Sequence, residues 1–445
     1  MASIKQLVGR RILDSRGDWT LEVDLICDDG TLGRASVPAG ASMGRHEAHK
    51  LDDIDQSIAN VNVLASSLVG QSVTEQQKID LLMMNTDGTE DKSNLGANVT
   101  LAISLAVAEA AAKSQRVPLY HWIQTISGTL QPSMPTPMLN FINGGKHADS
   151  GLAFQEFMII PMPGKPYHEQ ITIGQKVFQS LRNILIKLGQ RTAVGDEGGF
   201  APRLASNEEA IEVLIQAIGA AGFQAGTDVA LGLDVAASSI PDLAPVTYPL
   251  RPHDYFVKLV SDYPILGLED PLPEDDWEGW VQLNSAIGQR VKLVGDDLFT
   301  TNPRRIQIGI QKHAANTLLV KPDQIGTLTE TIQSVAMAKQ AGMGIVVSHR
   351  SGETESTFIS DLAVGIGANF IKTGGLSRGE RIAKYNQLLR IEAELGTQAV
   401  APVQAQPIQA PAPAAAPTAP AEPTTPQPQP TPPPDPDIPI GPAQQ

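Results

Sequence analysis

The chain has 445 residues, of which 42% are hydrophobic, and its formal net charge is −15. This length allows two or three domains, or one large barrel with attachments, and the hydrophobic content suits a globular protein with a large core. The acidic balance argues against nucleic acid or anionic lipid as the main partner, and the single cysteine, Cys27, excludes an intramolecular disulfide.

An α+β domain is predicted over residues 1–127. Residues 20–29 alternate between apolar and polar positions as a strand does, and residues 31–38 can pair back on them across an Asp-Asp-Gly turn. A loop of small residues, Ala39–Gly44, follows, and the alanine- and leucine-rich stretch at 94–115 has the pattern of a helix. This order of a hairpin and then helices differs from the alternation that comes after it.

An α/β barrel domain is predicted over residues 138–397, after a proline-containing linker. Six apolar stretches in it each stop at an ionisable residue, at intervals of about one strand plus one helix. Two further stretches, at 154–161 and 192–200, bring the strand candidates to the number found in a closed barrel of the TIM type. The six stretches end at Asp234, Glu269, Asp296, Lys321, His349 and Lys372.

Three carboxylates in this series predict a metal site. The carboxyl ends of parallel barrel strands meet at one mouth, so Asp234, Glu269 and Asp296 should crowd together. Unpaired anions repel one another in a partly dry site, and a divalent cation relieves that repulsion. Ligation by oxygen alone favours Mg²⁺ before Mn²⁺ and argues against zinc, which more often takes imidazole or thiolate. Taken singly, each acid could instead cap the helix that follows it.

A proton acceptor beside that metal is the second prediction. Lys321 and Lys372 come from later strands, and a lysine accepts a proton only if its pKa falls from about 10.4 towards about 7–8. The charge of a nearby metal and that of the other ammonium both act in this direction. A neutral lysine next to a divalent cation suits removal of a proton alpha to a carboxylate. A solvated charge at the barrel rim is the alternative for either lysine.

Two turns predict an anion site and an acid. The segment SHRSGET offers the planar guanidinium of Arg350 with Ser351 and backbone N–H groups beside it, which suits a phosphate. The alternative is an arginine on an ordinary polar turn. The segment GDEGG places Glu197 among glycines as a candidate acid partner of Glu156, although such turns are common and the motif alone is weak.

The final segment, residues 398–445, consists mainly of proline, alanine, glutamine and threonine and contains no lysine, arginine or aromatic residue. Such a composition cannot bury enough apolar surface to offset chain entropy, so a disordered tail is predicted. Its role is open between a passive spacer and a segment that binds an unknown protein partner.

Many segments in register resemble the enolase family over residues 3–396. Among them are DSRGDWTLEVD, VPAGASMG, NGGKHAD, QEFMIIP, VGDEGGFAP, EDPLPEDDW, VGDDLFTTN, SHRSGETESTF and IKTGG. The resemblance implies an enolase-type barrel whose early strands break the regular alternation, with the N-terminal α+β domain as a cap. It also implies a Mg²⁺-dependent lyase of glycolysis that reversibly dehydrates 2-phospho-D-glycerate to phosphoenolpyruvate.

The resemblance implies two Mg²⁺ ions per active site. Asp234, Glu269 and Asp296 would hold the first, and Ser42 on the small-residue loop would ligate the second when substrate is present. Close to these positions the chain departs from the usual family pattern at Met43 in that loop, where threonine is usual. A second departure is Asp323, where asparagine is common.

The resemblance also implies the catalytic roles. Lys321 would remove the C2 proton, and Glu197, supported by Glu156, would protonate the departing C3 hydroxyl. Arg350 and Ser351 would bind the phosphate, and Lys372 would contact the carboxylate. The implied substrate contacts are Gln155, His147, His349, Arg350, Ser351, Lys372 and Lys321.

A homodimer or a larger homo-oligomer is implied as well, with the family's intersubunit ion pair falling on Glu22 and Arg390. We expect a cytoplasmic protein, because no apolar run approaches the ~18 residues of a membrane span and no secretory signal is evident. The family also includes members exported to the cell surface without a signal. Apart from the small-molecule substrate, neither nucleic acid nor a membrane is an expected partner. The alternative function is a non-catalytic or moonlighting protein that binds through its tail.

Overall fold

The computed structural model describes residues 2–40, 44–240 and 251–396, so Ser42, Met43 and the tail at 398–445 lie outside the described residues. The strands are β1 Ile4–Leu13, β2 Trp19–Cys27, β3 Leu32–Ser36, β4 Thr136–Asn143, β5 Glu156–Pro161, β6 Val229–Asp234, β7 Ile265–Glu269, β8 Lys292–Gly295, β9 Thr317–Val320, β10 Gly344–Ser348 and β11 Phe370–Lys372. The helices are α1 Ile54–Leu68, α2 Gln76–Asp87, α3 Ala97–Gln115, α4 Leu119–Ser127, α5 Tyr167–Lys187, α6 Asn207–Ala220, α7 Pro252–Asp262, α8 Trp277–Ile287, α9 Pro303–Lys312, α10 Leu328–Gln340, α11 Phe358–Gly365 and α12 Gly379–Leu395.

The N-terminal part is a three-stranded antiparallel sheet covered by helices. Strands β2 and β3 form the predicted hairpin, and β1, which the sequence pattern did not reveal, pairs with the other edge of β2. Helix α3 packs on β2 and β3, and its alanines let it lie close to the sheet on one side and to other helices on the other. Nearly all of α3 is therefore buried, although its sequence is only weakly amphipathic.

The remaining strands form a closed eight-stranded barrel in the order β10-β11-β4-β5-β6-β7-β8-β9. Strand β5 runs antiparallel to both of its neighbours, and the other strand pairs are parallel. The expected barrel with irregular early strands is thus confirmed. Apolar side chains fill its interior as a packed core. They come from alternate positions of the strands: Met138, Met158, Ile160, Val294, Leu319, Val346 and Phe370.

One predicted strand is wrong. Residues 192–200 form a turn-rich segment with only isolated bridges, in which the N–H of Gly195 donates to the carbonyl of Gly199 over 2.8 Å. The eighth barrel strand is instead β4, part of which was read as a proline-rich linker. Pro137 is the second residue of β4, where a strand tolerates proline because few ladder bonds depend on its missing N–H.

The reversal of β5 decides which of its residues reach the active end of the barrel. Its first residue, Glu156, lies opposite Asp234, the last residue of β6. A parallel strand would have carried Glu156 to the opposite end. Because β5 runs the other way, Glu156 and the preceding Gln155 share the mouth with the carboxyl ends of the parallel strands.

The contact between β3 and α3 gives a test of the packing. A Cβ added at Gly33 would overlap the carbonyl oxygen of Ala106 and lie 2.9 Å from Ala110 Cβ, and both contacts belong to the helix. We expect Gly33→Ala to lower the free energy of unfolding by roughly 1–3 kcal/mol, since neither backbone can move away cheaply. Urea unfolding followed by circular dichroism measures this.

The control is Gly219 in α6, where an added Cβ has no neighbour within 4 Å. We expect Gly219→Ala to leave stability unchanged or to raise it by up to about 1 kcal/mol. Equal effects of the two substitutions would contradict the close packing at Gly33.

Across the described ranges, the helices lack the combination of length and apolar character that crossing a bilayer requires.

Candidate active site

The residues predicted to act on substrate line one cavity at the barrel mouth, with Asp234 of the predicted metal site beside them. Glu269 and Asp296 adjoin this cavity through ion pairs with Lys372 and Lys321. The cavity-lining residues from the predicted set are His147, Gln155, Glu156, Glu197, Lys321, His349, Arg350, Ser351 and Lys372.

The predicted metal ligands come from three neighbouring strands and are buried. Asp234 and Glu269 end β6 and β7, Asp296 follows β8, and their exposed fractions are 3%, 0% and 8%. The ammonium of Lys372 lies 2.9 Å from both Asp234 Oδ2 and Glu269 Oε1. Burial and the nearby charge of Asp234 raise the pKa of Glu269 to about 8.

These carboxylates fit a hard divalent cation. The Oε2 atom of Glu269 is buried and has no hydrogen-bond partner among the described residues. A buried carboxylate oxygen without a donor is costly, and it is a ready ligand atom. The set contains oxygen donors only, which is the preference of Mg²⁺. The residues present therefore fit the ion that the sequence predicted.

A second acidic group adjoins this one. Asp270, Asp296 and Asp297 offer ligand atoms that lie within 4.8 Å of one another. Neither Asp270 nor Asp297 belongs to the predicted metal site. The carboxylate of Asp270 instead accepts hydrogen bonds from the backbone N–H groups of Asp296 (2.9 Å) and Asp297 (2.7 Å), so it orients the loop that carries a predicted ligand.

Lys321 is held by the predicted metal site itself. Its Nζ lies 2.5 Å from Asp296 Oδ2. Burial lowers the pKa of Lys321, but the carboxylates of Asp296 and Glu269 raise it, and the net result is a pKa of about 12. The sequence argument expected a lowered pKa because it placed a cation next to the lysine, whereas here Lys321 itself neutralises Asp296. Lys372 behaves alike: the three acids around it raise its pKa well above its usual value despite its burial.

The predicted acid, Glu197, is enclosed by nitrogen-bearing side chains. Asn140 Nδ2 donates to its Oε2 over 3.0 Å, His147 Nδ1 lies 3.2 Å from Oε2, and His349 Nε2 lies 3.6 Å from Oε1. Burial and the adjacent charge of Glu197 raise the pKa of Glu156 well above its usual value. The pKa of Glu197 is lowered well below its usual value, so the two directions favour a protonated Glu156 beside an ionised Glu197.

Arg350, the predicted phosphate ligand, has two partly buried acidic partners. Its guanidinium lies 3.1 Å from Glu47 Oε2 and 3.3 Å from Asp323 Oδ2. Asp323 is the residue that departs from the family pattern, and burial, opposed by Arg350, raises its pKa to about 6. Glu47 follows the small-residue loop and no sequence signal marked it. A phosphate at Arg350 therefore has to compete with these carboxylates.

Two family models match the chain. The one described as the enolase N-terminal domain matches residues 4–123, and the one described as the enolase C-terminal TIM barrel domain matches residues 131–406. The second match alone covers more than half of the sequence. The chain belongs to the enolase family. That membership agrees with the barrel and its capping sheet, and it makes the chain a lyase of the enolase type.

Members of the enolase family generally use Mg²⁺, bind a small-molecule substrate and form oligomers. The acidic groups at the barrel mouth of this family member could bind such an ion. The cavity is lined by an amine, Lys321, and a carboxyl, Glu197, which are groups of the kind that exchange protons with a bound molecule. Both groups lie among residues that can hold an anion.

Proposed function

We propose that the chain catalyses the reversible dehydration of 2-phospho-D-glycerate to phosphoenolpyruvate in glycolysis and gluconeogenesis. The observation that carries this proposal is the composition of one cavity. It holds two lysines that are each ion-paired with buried carboxylates, the neighbouring carboxyls of Glu156 and Glu197, and an arginine with a serine beside it. Elimination of water from a phosphorylated hydroxy acid needs a base, an acid, a carboxylate site and a phosphate site, and this set supplies each.

Lys321 is the proposed base for the C2 proton. It becomes neutral only when Asp296 no longer stabilises its ammonium form. Asp234, Glu269 and Asp296 would hold Mg²⁺, which would supply positive charge beside Asp296 in place of the Lys321 ammonium and beside the substrate carboxylate. Lys372 faces the same carboxylates and is proposed to bind the substrate carboxylate as a fixed cation.

Glu197 is the proposed acid for the C3 hydroxyl. Glu197 is proposed to receive its proton from Glu156, and this transfer leaves the pair with the single negative charge that it already has. Proton transfer to the C3 oxygen breaks the Glu197 O–H bond as the C3–O bond breaks, and water leaves. His147 and Gln155 complete this side of the pocket, where Gln155 Nε2 reaches Asp234 Oδ2 at 3.4 Å.

Arg350 and Ser351 are the proposed phosphate site. The guanidinium fork matches two phosphate oxygens, and its burial removes competing water. Ser42, outside the described residues, is the proposed ligand of a second Mg²⁺ that arrives with substrate.

Metal dependence is the decisive assay. Turnover of 2-phosphoglycerate, followed by the absorbance of phosphoenolpyruvate, is expected to disappear in EDTA and to return with added Mg²⁺. The physical reason is that three buried carboxylates cannot offset negative charge on the substrate by themselves. Circular dichroism with and without EDTA is the control for folding. Turnover by a folded, metal-free sample, or no turnover with Mg²⁺, would contradict the proposal.

We further propose a cytoplasmic homodimer. The paired residues Leu13 and Trp19 expose 54% and 55% of their surface at the end of the β1–β2 ribbon. Two exposed large apolar side chains side by side support a contact with a second subunit at this place. Arg390 is exposed on α12 and is available to a second subunit, whereas Glu22 on β2 is half-buried and already lies 2.7 Å from Arg10, so an intersubunit ion pair would add to that contact. Light scattering is expected to give twice the chain mass, and Trp19→Lys to lower it; a wild-type monomer at micromolar concentration would contradict the dimer.

A further inference from the structure

Arg381 on α12 is fully buried and joins two loops of the active site. Its Nη1 donates to His349 Nδ1 and to the carbonyl of Arg350, each over 2.6 Å. Its Nη2 donates to the carbonyls of Ser351 (2.6 Å) and Asp196 (3.0 Å). One guanidinium therefore ties the proposed phosphate loop to the loop that carries the proposed acid.

The contact with His349 fixes where that imidazole carries its proton. A guanidinium has five N–H donors and no acceptor, so the Nδ1 atom that it touches must offer a lone pair. The ring is then either neutral with its proton on Nε2, or it loses this hydrogen bond. Nε2 is the atom that faces Glu197, 3.6 Å from Oε1. The acid thus faces an N–H group rather than a lone pair.

We propose that Arg381 is a positioning residue that holds His349 as the neutral tautomer with its proton on Nε2. The effect of this tautomer on catalysis rests on the proposed function, whereas the tautomer itself does not. With the opposite tautomer, the Nε2 lone pair would accept the proton of Glu197, and that proton would be lost to the elimination. With an N–H group in that place, His349 cannot take the proton that Glu197 delivers to the C3 oxygen of the substrate.

The charges around His349 oppose a second proton on the ring. It faces one carboxylate, Glu197, and three cations: Lys372 on β11, and Arg381 and Lys384 on α12. Burial, together with these cations, lowers the pKa of His349 well below its usual range, and Glu197 offsets this only in part. The hydrogen bond from Arg381 and the unfavourable imidazolium form therefore both favour the neutral Nε2–H tautomer of His349.

The first test measures the tautomer directly in the wild-type full chain. Long-range ¹H–¹⁵N correlation spectra of histidine-labelled protein distinguish the two tautomers and the imidazolium, and the His349→Gln spectrum identifies the signals of His349. The expected result is an Nε2–H imidazole that does not ionise between about pH 6 and 8. An Nδ1–H tautomer or an imidazolium in this range would overturn the proposal. The readout does not involve turnover, so it stands or falls separately from the proposed reaction.

The second test compares three variants. Arg381→Met removes the donor and is expected to give mixed tautomers and a kcat lowered about 10–100-fold, with a smaller change in KM. Arg381→Lys keeps one donor for Nδ1 and should restore the tautomer and part of kcat. Lys384→Met removes a nearby charge without a hydrogen bond to His349, so its tautomer should stay that of the wild type.

Retention of the pure Nε2–H tautomer in folded Arg381→Met would overturn the role of Arg381. If that variant does not fold, Arg381→Lys decides. Retention of the Nε2–H tautomer would support the proposal, and its loss would contradict it, because lysine still supplies one donor for Nδ1.

Discussion

Lys321→Met is expected to abolish exchange of the C2 proton of 2-phosphoglycerate with solvent, and net turnover with it. Lys321 is the proposed base, and a group that transfers a proton in the transition state contributes about 10²–10⁴-fold to the rate. Methionine has a similar length but accepts no proton. Exchange is followed by loss of the C2 proton signal in deuterated buffer, which reports the first step even when no product forms.

The same substitution should leave the metal site competent. Lys321 forms an ion pair with Asp296 in this arrangement and so competes with a metal ion for that carboxylate. Replacing Lys321 is therefore expected to preserve or strengthen Mg²⁺ binding, measured by calorimetry. Lys258→Met, at an exposed lysine paired with Asp262, is the matched control and should behave as the wild type. Near-normal exchange by a folded Lys321→Met protein would show that the base is a different residue.

Glu197→Gln is expected to separate the two halves of the reaction. Glutamine keeps the size of the side chain but carries no acidic proton, so loss of the C3 hydroxyl should slow by about 10²–10⁴-fold. The C2 proton should still exchange, since Lys321, the proposed base, contacts Asp296 rather than Glu197. Comparing the exchange rate with phosphoenolpyruvate formation measures this separation.

The control for Glu197→Gln is Asp196→Asn, which removes a half-buried charge from the same loop. It should reduce product formation far less. Equal loss of exchange and product formation in Glu197→Gln would mean that Glu197 acts before the elimination step, contrary to the proposal.

The strand ends of the barrel were predictable from the sequence for a simple reason. A parallel strand inside a barrel is apolar throughout, and polarity returns where the chain reaches the mouth, as at Asp234, Glu269 and Lys372. Strand β4 was not predicted, because Pro137 and the two prolines that precede the strand resemble a linker. The segment around Glu197 was read as a strand because the apolar residues that flank its glycines resemble one.

Other features depend on tertiary contacts that no local pattern carries. Arg381 lies in a helix whose sequence is that of an ordinary amphipathic helix, and its importance comes from the carbonyls and the imidazole that surround it. Glu47 and Asp270 likewise gain their roles from partners more than twenty residues away. The raised pKa of Lys321 depends on which cation neutralises Asp296, and sequence alone does not decide that.

The reversed strand β5 also explains the support of the proposed acid. Since β5 descends and β6 ascends, the chain between them leaves and returns at the end of the barrel away from the mouth. It covers that distance as two packed helices, α5 and α6, and Glu197 lies in the turn between them. The proposed base and metal ligands lie at the ends of barrel strands. The proposed acid lies in the connection between the two helices α5 and α6. One antiparallel strand thus places the two halves of the proposed elimination on different kinds of structural support around the same barrel mouth.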